Sequence, residues 1–153
     1  DAILTNAILT NAKLIGANLE GADLTGAKLI DANLRKANLG LAILINAQLI
    51  DANLDGADLI NAKLTSAYLR GAKLIGAILG DAKLIGAKLN NAKLIGADLT
   101  DANFRDVDFT GADLTGAKGI PLSISDRFPH KGETVEEKAR REEEEKSRGR
   151  SEL

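Results

Sequence analysis

A single imidazole, at His130, and two short runs of carboxylates are the side chains in this 153-residue sequence whose types and spacing could do chemistry. His130 lies between Pro129 and Lys131, with no cysteine and no group of carboxylates beside it. A metal centre needs several such ligands converging, and covalent catalysis needs a nucleophile beside a base. Neither can be assembled around His130. The carboxylates Asp51, Asp55 and Asp58, and then Asp98, Asp101, Asp106 and Asp108, could form acidic surface, but Lys and Asn are mixed among them elsewhere. The glycines lie one to a turn, without the strand-to-helix context and lysine that a phosphate loop requires. The sequence therefore reads as a non-enzyme, with no catalytic residue, no cofactor, no metal and no small-molecule substrate.

The element that positions these side chains is a five-residue period. Alanine occupies every fifth position from Ala2 to Ala117, with Val107 the exception. A bulky apolar residue follows two places later, from Leu4 to Leu114, and only Phe104 and Phe109 replace leucine, giving 23 repeats of A-x-L-x-x in one register. A helix would scatter positions five apart around its circumference, because each repeat drifts by roughly 140°. In extended backbone, Ala and Leu two residues apart share one side and the residue between them points away. The remaining two positions must then turn the chain so that the next Ala-x-Leu also faces inward. At the second position after the large residue, 20 of 23 repeats carry Gly, Asn or Asp. These tolerate the positive φ that a type II turn requires at its third residue. Lys36, Leu41 and Ser66 depart from the rule, which predicts a different turn at those three corners. A short fixed period of this kind dictates a solenoid in which each repeat is buried against its neighbours.

Runs such as Ala22-Asp23-Leu24-Thr25-Gly26, Ala52-Asn53-Leu54-Asp55-Gly56 and Ala102-Asn103-Phe104 resemble the signature of pentapeptide repeat proteins, over residues 1–118. The resemblance implies an all-β fold, a right-handed parallel quadrilateral β-helix with four repeats to a coil and about six coils, with Ala and Leu or Phe stacked inside. Every twentieth residue would then stack, placing Lys63 over Lys83, Lys73 over Lys93, Ile30 over Ile50 and Ile75 over Ile95.

The repeats end at Lys118, and the sequence divides into a β-helix (1–118), a C-terminal capping segment (119–132) and a charged helical or disordered tail (133–153). Ile120, Leu122, Ile124 and Phe128 supply apolar side chains to cover the last coil, whose strand edges would otherwise be open. Beyond it, Thr134 and Glu137 have capping-box spacing, and Glu136/Arg140 and Glu142/Lys146 are spaced for i,i+4 pairs. No comparable cover precedes the first coil. Either further sequence precedes Asp1, or that edge stacks on a second copy as a homodimer. No apolar run is long enough for a membrane span, and the absence of cysteine fits a reducing compartment, so the expected location is cytoplasmic with no membrane partner.

Some pentapeptide repeat proteins resemble DNA in shape and charge and bind DNA gyrase, which suggests a DNA mimic directed at gyrase or topoisomerase. Residues 1–118 hold twelve cations against thirteen carboxylates, a net of −1, weak for such mimicry. With no positive excess, and Tyr68 the only outward aromatic of the repeats, nucleic-acid binding is also disfavoured. Outward isoleucines are numerous, and β-branched ladders stabilise a stacked surface. Leu41, Ile43, Ile45 and Ile60 stand apart, since they gather at a corner without the usual turn residue and form a candidate apolar docking patch. The expected function is a rigid, non-catalytic scaffold for a protein partner. Two alternatives stay open: the gyrase-binding DNA mimic, and a spacer or dimerisation segment of a larger protein.

Overall fold

A computed structural model of the chain describes residues 2–121 and Ile124. Its architecture follows from where the five backbone N–H groups of each repeat go, since buried backbone donors must find acceptors. In the repeat Ala22–Gly26, Asp23 N–H donates backward to Ala2 C=O (2.9 Å), while Leu24 and Gly26 donate forward to Ile43 C=O (2.7 Å) and Ile45 C=O (2.9 Å). Ala27 N–H closes the turn on Leu24 C=O at 3.0 Å. The same pattern advances along the chain and joins residues twenty apart by parallel bridges, Ile3 to Asp23, Asp23 to Ile43, Ile43 to Lys63, and so on to Asp98 and Lys118. Each bridge is isolated, one residue pair per repeat, because the corner interrupts the strand before a second pair can form.

Twenty residues per coil make four faces. Face 1 consists of residues 2–6 and their equivalents every twenty residues; faces 2, 3 and 4 begin in the same way with 7–11, 12–16 and 17–21. The expected neighbours Lys63/Lys83 and Lys73/Lys93 are bridged. Inside, the Ala and Leu columns from Ala22 to Leu99 are fully buried, and among the described residues no polar or charged side chain is buried. Leu4, Leu9, Leu14 and Leu19 of the first coil are only partly buried. In the last coil, Phe104 and Phe109 pack with ring centroids 5.9 Å apart. Ile120 and Ile124 lie partly buried against this core. Leu122, Phe128, His130 and the charged segment 133–153 fall outside the described residues.

The three exceptional corners correct the sequence expectation. Lys36 (φ 55°), Leu41 (φ 59°) and Ser66 (φ 56°) adopt the same left-handed conformation as the Gly, Asn and Asp corners. Their turn hydrogen bonds are also unchanged, with Ala37, Ala42 and Ala67 N–H donating to Leu34, Leu39 and Leu64 C=O at 3.0 Å. Hydrogen bonds to the coils on either side fix the corner, so the stack overrides the residue's own preference.

The fifth N–H of each repeat, at the position before the corner, reaches no carbonyl of the adjacent coil. In the ten repeats with Asn or Asp between Ala and the large residue, that side chain accepts it, as in Asp23 Oδ1 with Thr25 N–H (3.0 Å) and Asp58 Oδ1 with Ile60 N–H (2.9 Å). Lys73 cannot serve in this way, and Ile75 N–H instead donates to Asp55 Oδ1 of the preceding coil at 3.0 Å. These Asx-type bonds were a signal available in the sequence, because Asn and Asp favour accepting from the backbone two residues on.

The same bonds make stability depend on acid. The Thr25, Thr100 and Thr110 hydroxyls, and then their N–H groups, hold the carboxyls of Asp23, Asp98 and Asp108 below the ordinary value of 3.8. A depressed carboxyl stabilises the fold above its unfolded-state pKa, and the contribution is lost as pH falls through the folded-state value. Melting temperature is therefore expected to be level from neutral pH to about pH 5 and to drop below about pH 4. Replacing the three threonines by valine should shrink the acid-sensitive part of that drop in melts monitored by circular dichroism.

Candidate protein-binding surface

Among the described residues the interior is filled by alkyl and phenyl side chains, so polar groups lie on the outside. Among the described residues no group of three His, Cys, Asp or Glu could hold a metal ion, and no helix is long and apolar enough to cross a membrane. The outer surface is uneven in two respects.

The first is apolar exposure. Leu41 is 56% exposed, Ile78 43% and Ile60 38%. The bridge Asp58 to Ile78 and the bond from Leu41 N–H to Ile60 C=O (2.9 Å) bring these residues to face 4 and its corner. Ile43 and Ile45 are half-buried on face 1, around that corner. Leu41 and Ile60 line one hollow of about 230 Å³ with Glu20, Gly40, Asp58 and Asn61. A second hollow, of about 330 Å³, lies on the other side of Leu41, against Ala2, Leu19, Glu20 and Ala22. Of the four patch residues expected from sequence, the structure brings Leu41 and Ile60 together in a hollow; Ile43 and Ile45 line neither. Gly40 was missed, although its lack of a side chain below Ile60 opens the smaller hollow.

Leu41 is unfavourable twice over. Its Cβ is crowded in the left-handed region, at a cost of roughly 1 kcal/mol, and its side chain stands largely in water. Asparagine, which adopts this conformation readily and occupies the equivalent corner at Asn61, should fit better. Leu41→Asn is thus expected to stabilise the protein by about 0.5–1 kcal/mol, raising the melting temperature by about 1–4 °C.

The second respect is charge. Face 4 carries Glu20, Asp58, Asp81, Asp98 and Asp101, and its first cation is Lys118 at the C-terminal end. Face 3 carries Lys13, Arg35, Lys36, Lys73 and Lys93 against Asp55 and Asp113, with Lys36 on the corner it shares with face 4. A net charge near zero therefore conceals an acidic face beside a basic one. The close ion pair among the described residues, Arg105 with Asp106 at 3.4 Å, is exposed and contributes little. The acidic face includes the hollows, for Glu20 borders both and Asp58 one.

Comparison with known proteins agrees with this architecture. A search of the curated proteins finds no match. Among solved structures, HetL, a pentapeptide repeat protein involved in heterocyst differentiation regulation in the cyanobacterium Nostoc, is 34% identical over 76% of this chain, with a TM-score of 0.46. The match spans 59% of HetL's own length. A pentapeptide repeat protein of the Arabidopsis thaliana thylakoid lumen is 31% identical over 72% of each chain, with a TM-score of 0.45. The Nostoc pentapeptide repeat protein alr5209 is 32% identical over 61% of this chain and 80% of its own, with a TM-score of 0.53, and supports the same fold. The family model for pentapeptide repeats matches in eight copies over residues 2–40, 42–81 and 82–118. With that match and the twenty-residue coil, the chain belongs to the pentapeptide repeat family of quadrilateral β-helices.

Proposed function

We propose that the chain is a non-catalytic, cytoplasmic scaffold that binds a protein partner through the surface around Leu41. On this reading about six right-handed coils, closed by the segment 119–132, form a rigid rod that displays side chains at fixed spacing. The observation that carries it is Leu41 itself. A large apolar side chain held exposed and in a left-handed corner opposes stability, and an observed backbone outlier of this kind is a reason to look for a contact.

The test is affinity capture from lysate of the source organism with the intact chain, a Leu41→Asp/Ile43→Asp variant and a chain ending at residue 132. The expected result is a partner lost with the double variant and kept on truncation. Loss on truncation alone would move binding to the charged tail, and capture indifferent to the double variant would sink the patch.

The acidic face gives the DNA-mimic alternative one point in its favour. Against it, a duplex mimic needs phosphate-like charge on more than one side, and the adjoining face 3 is basic. Inhibition of gyrase supercoiling by the purified chain would favour the mimic.

A further inference from the structure

We infer that face 4 takes a cationic amphipathic segment of the partner protein, in which an arginine or lysine stands beside a large apolar residue. This rests on the scaffold reading and names the chemistry of what the scaffold holds. The smaller hollow combines apolar walls, Leu41 and Ile60, with two carboxylates, Glu20 and Asp58. That combination suits a side chain with an aliphatic stem and a charged head, because the stem covers apolar surface while the head meets the carboxylates. Both carboxylates are held in place. Glu20 Oε2 accepts from Asn38 Nδ2 at 3.3 Å, and Asp58 Oδ1 accepts from Ile60 N–H at 2.9 Å. The larger hollow is mainly polar, bounded by Asn18, Glu20 and Gly21, and the flank of Leu41 with Leu19 is the part of it that a neighbouring apolar side chain would cover.

Charge complementarity decides the class of occupant. Face 4 carries Glu20, Asp58, Asp81, Asp98 and Asp101 before its own first cation, Lys118, with Lys36 on its border with face 3. A field of one sign steers the opposite sign onto the surface and repels a nucleic-acid backbone or an acidic peptide. Leu41 and Ile60 add the desolvated centre that charge alone lacks, since apolar anchors within a polar rim supply most of an interface's affinity.

The test uses three fluorescein-labelled dodecapeptides and the full chain: Arg alternating with Leu, Arg with Ser, and Glu with Leu. Fluorescence anisotropy is read for wild type, Leu41→Asn, Glu20→Gln/Asp58→Asn and, as a control on face 2, Arg70→Gln. The amide variants keep an oxygen acceptor for Asn38 and Ile60, and Leu41→Asn is expected to melt higher than wild type, so folding is preserved. The expected result is binding of the Arg–Leu peptide, about tenfold weaker with Leu41→Asn and with the amide pair, and unchanged with Arg70→Gln. The Arg–Ser peptide should bind at least tenfold more weakly, and the Glu–Leu peptide not at all. No binding of the Arg–Leu peptide, affinity indifferent to both face 4 variants, or equal binding of the Glu–Leu peptide would overturn the inference. If the peptides fail while capture of a lysate partner still depends on Leu41 and Ile43, the cationic occupant falls and the scaffold stands. If capture is also indifferent to Leu41 and Ile43, both fall.

Discussion

Leu64→Asp is expected to unfold the middle of the rod, whereas Leu4→Asp should fray one coil and leave the rest intact. Leu64 is 1% exposed, stacked in a column whose neighbours are equally buried. Truncating a buried leucine to alanine costs about 2–5 kcal/mol, and an unpaired carboxylate in the same place costs several more. Against a total stability of roughly 5–15 kcal/mol, that is most or all of what holds the fold. Leu4 is only partly buried at the first coil, so its aspartate can reach water with little rearrangement. Stability in a solenoid is close to a sum of coil and interface contributions, so damage at the centre breaks two interfaces and damage at an end breaks one. Circular dichroism melts of both variants check this. A Leu64→Asp protein that melts like wild type would refute the inward placement of the leucine column.

Gly119→Ala is expected to cost about 1–3 kcal/mol and to release the chain where it leaves the last coil. Gly119 has φ 73°, and a Cβ there would collide with the backbone of Leu99 and Thr100. Backbone cannot swing aside as a side-chain tip can, and these atoms are tied into the ladder through Leu99 N–H to Lys118 C=O and Lys118 N–H to Ala97 C=O, both 2.9 Å. The comparison is Gly76→Ala, where nothing lies within 4 Å of the added carbon and only the left-handed φ opposes it, at a cost of about 1 kcal/mol. Hydrogen exchange separates the two. The Leu99 and Lys118 amides should lose protection in Gly119→Ala and keep it in Gly76→Ala.

Much of this fold is legible in the sequence because its signal is repeated. The inward alanine and leucine columns follow from the period alone, since no other backbone geometry turns every fifth and then every second residue to one side. What was not legible belongs to the stack. Lys36, Leu41 and Ser66 have side chains that disfavour a left-handed corner, and the prediction of a different turn failed because inter-coil hydrogen bonds outweigh a local preference of roughly 1 kcal/mol. The Asx-type bonds were visible as Asn and Asp between Ala and Leu, but their purpose appears only once the other four N–H groups of a repeat have partners. The surface is a different case. A net charge of −1 over residues 1–118 hides an acidic face beside a basic one; the twenty-residue stacking expected from the sequence was enough to sort the charges by face, and the summed charge did not do so. Gly40 stands directly after Leu39, one place before the corner that most repeat glycines occupy, and, with Ile60 twenty residues on, its register already set it apart in the sequence.

On the proposed function, Leu41 serves a contact and not the fold. One paired measurement tests it most directly: melting temperature and partner capture on the same preparations of wild type and Leu41→Asn. The expected result is that the variant melts higher and captures less, opposite signs that a structural role cannot produce. A variant that melts lower, or one that melts higher and captures its partner undiminished, would contradict the claim.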